Sequence, residues 1–285
     1  MIVLKKTQEV SKFRSDSDGS WGIIPTMGFL HEGHISLVEK ARQDNDFVGV
    51  SIFVNPVQFN NDADLAAYPR NFEADLSKLK TANVDVVWAP SVEKMYPSGF
   101  QTEVRVNKMT SLLEGKARPG HFDGVTTVVA KIFNTFQPTR AYFGEKDAQQ
   151  WRVIKRMIAD LNFNLELIVC PTVREQDGLA LSSRNARLSP IARQNAVCLY
   201  RALQSGAKAC RAGEPKVEKL KEIMQNEIDL FGLTQTDYIS IADPDTLQEL
   251  TIVQEEALLS LAVFVEGVRL IDNLTISACA GQKKN

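Results

Sequence analysis

The chain has 285 residues, 44% of them hydrophobic and 24% charged, a balance that suits a folded protein with a sizeable core and excludes a disordered or fibrous one. Its 33 Lys and Arg face 35 Asp and Glu, a formal net charge of −2 that gives no overall attraction for nucleic acid. No stretch approaches ~18 apolar residues and the opening "MIVLKKTQEV" turns charged too early for a signal peptide, so no membrane partner is expected and the cytoplasm is the expected location.

Apolar runs rich in Ile, Val and Phe predict strands at "WGIIP" (21–25), "FVGVSIFV" (47–54), "VDVVWA" (84–89), "RAYF" (140–143) and "LELIV" (165–169). Between them, 33–44, 70–83, 124–136 and 147–161 have helical period and are long enough to cross over a sheet. This alternation predicts an α/β fold, a Rossmann-like, doubly wound parallel sheet. Unalternated apolar strands agree, because helices on both faces of such a sheet bury both sides of each strand. The interval 90–123, with "YPSGF" and "EGKARPGHFDG", breaks the rhythm and is expected as an excursion near the site or at a subunit interface.

After about residue 172 the order changes. Helical 189–213 and 217–231 precede strand-like 236–243, 261–268 and 269–276, which predicts a smaller α+β domain with antiparallel strands. The expected domains are therefore 1–171, Rossmann-like, and 172–285, smaller and C-terminal. Ser189 before Pro190 is a helix start, Gly206 and Gly213 are expected stops, and "GQKKN" reads as a frayed tail. Cys170, Cys198, Cys210 and Cys279 stand far apart with no C-x-x-C pair, so they are expected as small core residues without chemistry.

In an open parallel sheet, ligands bind beyond the carboxyl ends of the strands. "TMGFLHEGH", "NPVQF", "GEKDAQQ" and "CPTVREQDGLALSSRN" follow four of the predicted strands and so fall on one edge. In "HEGH" the histidines are spaced i, i+3 with Gly33 inside, unlike the i, i+4 pair of zinc proteases; His121 is the one other histidine available to a zinc site. The phosphate reading fits the local physics better. Gly28 and Gly33 permit close backbone approach, a helix start offers N–H groups, and His31 and His34 can donate to phosphate oxygens, a protonated one also neutralising charge. A plain polar turn is the third reading. Lys146 at a helix start is unfavourable unless an anion also sits there, whereas Asp147 suits an N-cap in any case. "LALSSRN" supplies hydroxyls and an Arg, and Gln58 and Gln150 are neutral donor-acceptors suited to a small substrate.

Taken together, "PTMGFLHEGHISLV", "SIFVNPVQF", "RPGHFDGVTTVV", "YFGEKDAQQ" and "LALSSRN" resemble, in order, the motifs of the pantoate:β-alanine ligases, the pantothenate synthetase family of the H-x-G-H nucleotidylyltransferase superfamily. The resemblance runs from about residue 20 to 275. It implies a Mg²⁺- and ATP-dependent ligase in which the pantoate carboxylate attacks the α-phosphorus of ATP. Pantoyl adenylate and pyrophosphate result, and the β-alanine amine then displaces AMP.

By the same resemblance His34, His31 and Lys146 are catalytic. Met27, Gly28, Phe29, Leu30, His31, Glu32, Gly33, His34, Gly144, Glu145, Lys146, Asp147, Val173, Leu181, Ser182, Ser183 and Arg184 contact ATP. Gln58 and Gln150 hold pantoate, with Gln58 also near β-alanine; Asn55 and Arg118 fall in matching motifs. "LSSRN" lacks the lysine of the superfamily's K-M-S-K-S-like loop, which leaves Lys146 to supply the ammonium. Asp75 lies where family members place Mg²⁺, but Ala74 stands beside it, so no metal ligands are assigned. A homodimer is implied, with the 100–125 excursion as its interface. The other readings are a nucleotidylyltransferase forming a stable conjugate, a zinc hydrolase built on His31, His34 and His121, and a non-catalytic nucleotide sensor.

Overall fold

The structure is a computed structural model that describes residues 1–277; the expected frayed tail and Cys279 lie outside the described residues. It divides into two compact units, Met1–Val173 and a second beginning at Arg174.

The first unit holds strands β1 (Ile2–Leu4), β2 (Trp21–Thr26), β3 (Phe47–Ile52), β4 (Val86–Trp88), β5 (Arg140–Gly144) and β6 (Glu166–Cys170). They form one sheet in the order β1-β4-β3-β2-β5-β6, with every pairing parallel. Its helices are α1 (Thr7–Ser15), α2 (Glu32–Asp44), α3 (Asp62–Ala66), α4 (Phe72–Thr81), α5 (Val92–Met95), α6 (Leu113–Ala117), α7 (His121–Phe136) and α8 (Ala148–Asp160).

Neighbouring strand residues supply opposite faces. Ile23 packs with Val10 of α1 and with Val129, Phe133 and Val153 of α7 and α8, while Ile24 packs with Leu37, Val38 and Leu79 of α2 and α4. Both isoleucines are fully buried, worth about 2 kcal/mol each, which is why the apolar strand runs mark a sheet covered on two sides. The expected α/β, doubly wound architecture is borne out, with β1 and α1 as additions at its edge.

The chain builds β2, β3 and β4 outward on one side, then crosses back to lay β5 against the other side of β2. The strand order reverses between β2 and β5, and the crevice beyond the carboxyl ends of such a pair is where ligands bind in open α/β sheets.

The 90–123 excursion returns onto the same unit. Val104 N–H donates to Thr127 Oγ1 at 2.9 Å, and Gln149 Nε2 of α8 donates to Met109 O and Leu112 O at 2.7 and 2.9 Å. Helix α7 begins at His121, three residues before the sequence-based start, capped by left-handed Gly120.

The second unit packs α9 (Pro190–Asn195), α10 (Cys198–Arg211) and α11 (Val217–Asp229) with an antiparallel sheet, β7 (Thr234–Ala242), β8 (Glu256–Val265) and β9 (Val268–Ser277). The smaller α+β domain is thus as expected. Ser189 caps α9 through Oγ, accepting from Ala192 N–H at 3.2 Å, and Gly213 follows the end of α10 at φ +102°. Gly206 is not a stop. It lies inside α10, where a methyl group would come within 2.9 Å of Met224 Cγ, so it serves the close approach of α11. Cys170, Cys198 and Cys210 are buried and in no disulfide, and no helix among the described residues is long and apolar enough to cross a membrane.

Candidate functional site

The segment after β2 turns on two left-handed residues, Gly28 at φ +80° and Phe29 at φ +52°. For Phe29 that conformation costs about 1–2 kcal/mol. Asp75 of α4, 3% exposed, holds it: its carboxylate accepts from Phe29 N–H at 2.8 Å and from Leu30 N–H at 2.7 Å. Charge-assisted bonds of about 1.5–3 kcal/mol each outweigh the strain. One turn further along α4, the Lys78 ammonium donates to Leu30 O.

Helix α2 starts directly after this turn, with His31 in extended conformation at its N-cap and His34 in its first turn. The rings lie 4.1 Å apart between centroids. His31 N–H donates to His34 Nδ1 at 3.3 Å, which leaves the His34 proton on Nε2; His31 Nδ1 is buried without a partner. Each side chain keeps some open surface, yet both rings sit deep. Burial first, then the Lys146 ammonium, pushes His31 down to about 4; burial, then His31 and Lys146, holds His34 well below the usual range. Both are therefore neutral at pH 7 before an anion arrives, so they meet it as hydrogen-bond donors rather than as cations. Positive charge near the pair comes from Lys146 and Lys78.

In the turn ahead of α2 the amides are engaged within the protein. Gly28 N–H donates to Thr26 Oγ1 at 3.2 Å, and the Phe29, Leu30 and His31 amides are taken as described.

Beyond β5, Lys146 and Asp147 stand at the start of α8, with Asp147 at the N-cap but making no capping bond. Gly144, Glu145, Lys146 and Asp147 are all half-buried, as is Gln150 in the first turn of α8. Beyond β3, Asn55, Pro56 and Val57 carry the chain into Gln58, which is 8% exposed. Gln58 Nε2 donates to Met27 Sδ at 3.1 Å, and its Oε1 accepts from Asn55 Nδ2 at 3.0 Å. Tyr96 OH donates to Asn55 Oδ1 at 2.9 Å, and burial pushes its pKa up to about 12, so it stays a donor. His121 Nδ1 donates to Gln58 O at 2.7 Å while its Nε2 accepts from Arg118 at 3.2 Å. Gly124 lets α7 sit against this turn: a methyl group there would lie 2.8 Å from Gln58 N.

With both ring nitrogens so engaged, His121 is not placed as a zinc ligand. Among the described residues no group of three or more His, Cys, Asp and Glu is arranged to hold a metal ion. A cavity of about 310 Å³ shares Met27, Gly28, Phe29 and Asp75 with the turn and is lined as well by residues such as Phe53, Arg70 and Val92. Val173 ends the first unit. Leu181, Ser182, Ser183 and Arg184 belong to the second, where Ser182 Oγ accepts from Arg184 N–H at 3.3 Å.

Sequence reading brought forward His31, His34, Lys146 and Gln58 but not Lys78, Tyr96 or the clamping role of Asp75. An acid and a base spaced i, i+3 on α4 were the visible signal for two of them.

Comparison with known proteins bears on what this arrangement serves. The family model for pantoate-beta-alanine ligase matches residues 2–275. The pantothenate synthetase of Moorella thermoacetica is 53% identical over 257 residues, 90% of this chain and 91% of that protein. The crystal structure of pantothenate synthetase from Thermus thermophilus superposes with a TM-score of 0.91 at 45% identity, covering 96% of this chain and 99% of that one. Pantoate-beta-alanine ligase from Francisella tularensis, complexed with beta-gamma ATP and beta-alanine, gives a TM-score of 0.81 at 36% identity, covering 96% and 97%. Matched along nearly its whole length, this chain is an enzyme of the pantoate-beta-alanine ligase family.

Proposed function

We propose that the enzyme joins pantoate to β-alanine through a pantoyl-adenylate intermediate, consuming ATP and releasing pyrophosphate and AMP. The observation that carries this reading is the meeting of His31, His34 and Lys146 at the strand-order reversal, since one cation and two neutral donors suit the phosphates of a nucleotide. The Francisella relative, complexed with beta-gamma ATP and beta-alanine, supports ATP and β-alanine as substrates here.

In this mechanism Lys146 offsets phosphate charge, and His34, its proton on Nε2, donates to an oxygen of the reacting phosphate as negative charge grows there. His31 flanks it. Gln58, held on both sides of its amide, and Gln150 orient pantoate so that its carboxylate lies in line with the α-phosphorus. Gln58 also lies beside the amine that next attacks the acyl carbon. Met27 to His34, Gly144 to Asp147 and Val173 line the nucleotide site, and Leu181, Ser182, Ser183 and Arg184 take the nucleotide-contacting role their motif implies. The second unit acts as the lid that keeps water from the acyl adenylate. A cytoplasmic homodimer is part of the same proposal, and sedimentation tests the dimer.

Residues of the first unit do not fit a protein-held Mg²⁺. Both oxygens of Asp75 are committed to Phe29 and Leu30, Ala74 precedes it in the sequence, and one turn further along α4 stands the cation Lys78. Any Mg²⁺ enters with the nucleotide, and no step is assigned to it here.

The decisive test uses pantoate labelled with ¹⁸O in its carboxylate. Enzyme given ATP and labelled pantoate should hold a mass corresponding to pantoyl adenylate, and adding β-alanine should release AMP carrying one ¹⁸O. Release of a stable conjugate without β-alanine would instead favour the nucleotidylyltransferase reading.

A further inference from the structure

Two bonds to one residue tie α4 to the chain just ahead of the histidines. Leu30 gives its N–H to Asp75 and receives at its carbonyl the Lys78 ammonium, from side chains one helical turn apart. Leu30 itself is 3% exposed, so neither polar group has water as a substitute partner. An apolar residue at position 78 would leave that carbonyl without its donor and the turn held from one side only. We propose that Lys78 is a positioning residue of the nucleotide site: it fixes the backbone leading into His31 and, as Lys146 does, sets an ammonium in the surroundings of the histidine pair. The proposal rests on the reading that this pair faces nucleotide phosphates.

The electrostatics agree with the geometry. Lys78 lowers both imidazoles; Lys146 acts in the same direction on both, His31 lowers His34, and Glu32 and Asp147 oppose on His31. Charge from Lys78 thus reaches the rings although its ammonium is tied to the main chain. A cation tied to the main chain is in place before nucleotide arrives, which is what a preorganised phosphate site requires.

The test compares K78M, K78Q and K78R with the unaltered enzyme in two measurements. The first is an NMR titration of the His31 and His34 imidazoles without nucleotide. K78M and K78Q should raise both midpoints and K78R should leave them in place. Unchanged midpoints in folded K78M, or in K78Q should K78M fail to fold, overturn the placement of the charge. The second is pyrophosphate formation against ATP concentration. K78M should raise the KM for ATP by about tenfold with a smaller fall in kcat, and K78R should recover to within about threefold, because an ionic hydrogen bond is worth about that ratio. An unchanged KM for ATP overturns the positioning role. Should the unaltered enzyme form no pyrophosphate with pantoate, the functional reading fails on its own, while the titration still decides where the Lys78 charge acts.

Discussion

The backbone N–H of His31 points into Nδ1 of His34 at 3.3 Å, so one histidine decides which nitrogen of the other carries its proton. His34 is thereby preset to donate from Nε2 without an imidazolium being needed. His34→Ala should lower pantoate-dependent pyrophosphate release by about a hundredfold or more, with an unchanged circular dichroism spectrum. Turnover close to normal would remove His34 from the mechanism.

Lys146 supplies charge that neither neutral imidazole provides. Lys146→Ala should reduce kcat/KM for ATP by about a hundredfold, measured by the same assay, and should raise the titration midpoints of His31 and His34 because a cation that lowers both has gone. A variant that loses activity while both midpoints stay put would place Lys146 away from the pair.

The depressed His31 value makes stability depend on pH with a definite sign. Unfolded, the imidazole takes up its proton near 6.5; folded, it resists until about 4. Between those values the unfolded chain binds more protons, so the contribution present above 6.5 is lost as pH falls toward 4 and then levels off. Urea unfolding at pH 7.5 and at pH 5 measures this, and His31→Gln should show a smaller drop between the two than the unaltered protein does.

Asp75→Asn should cost about 1–3 kcal/mol in urea unfolding, since the amide oxygen can serve one of the two loop N–H groups while its NH₂ faces the other. The KM for ATP should rise with it, because the turn into His31 is loosened. Normal stability in this variant would mean that the turn holds itself.

Gly124→Ala tests the wall behind Gln58. The added methyl meets Val57 and Gln58 backbone at 2.8 Å, so α7 or the turn must shift, at a cost of about 1–3 kcal/mol. Gln58 should lose its aim, raising the KM for pantoate more than the KM for ATP. Equal rises for both substrates would argue against separate pantoate positioning by Gln58.

The large strands were legible because a sheet covered on both faces needs unbroken apolar runs, as in Phe47–Ile52 and Arg140–Gly144. Ile2–Leu4, only three residues long and half open at the sheet edge, carries too little pattern to stand out, and Thr7–Ser15 buries only Val10. Gly206 misled because a helix-breaking residue and a helix-contact residue look alike in one sequence. In the site, His31, His34 and Lys146 stood out as unusual residues at strand ends. Asp75 and Lys78 did not, since a charged pair on a crossover helix reads as a solvated face until the fold carries it 45 and 48 residues back to the histidine turn. Tyr96 lay in a stretch with no periodicity to read.

Gly28 and Phe29, both left-handed, curl the chain into a small concavity of amide hydrogens, the kind of nest that elsewhere in proteins clasps a phosphate. Asp75 fills it with an anion of the protein's own. The hold on this turn consequently lies in one carboxylate, and unlike an amide cradle, which has no side chain to exchange, a hold of that kind can be retuned one codon at a time.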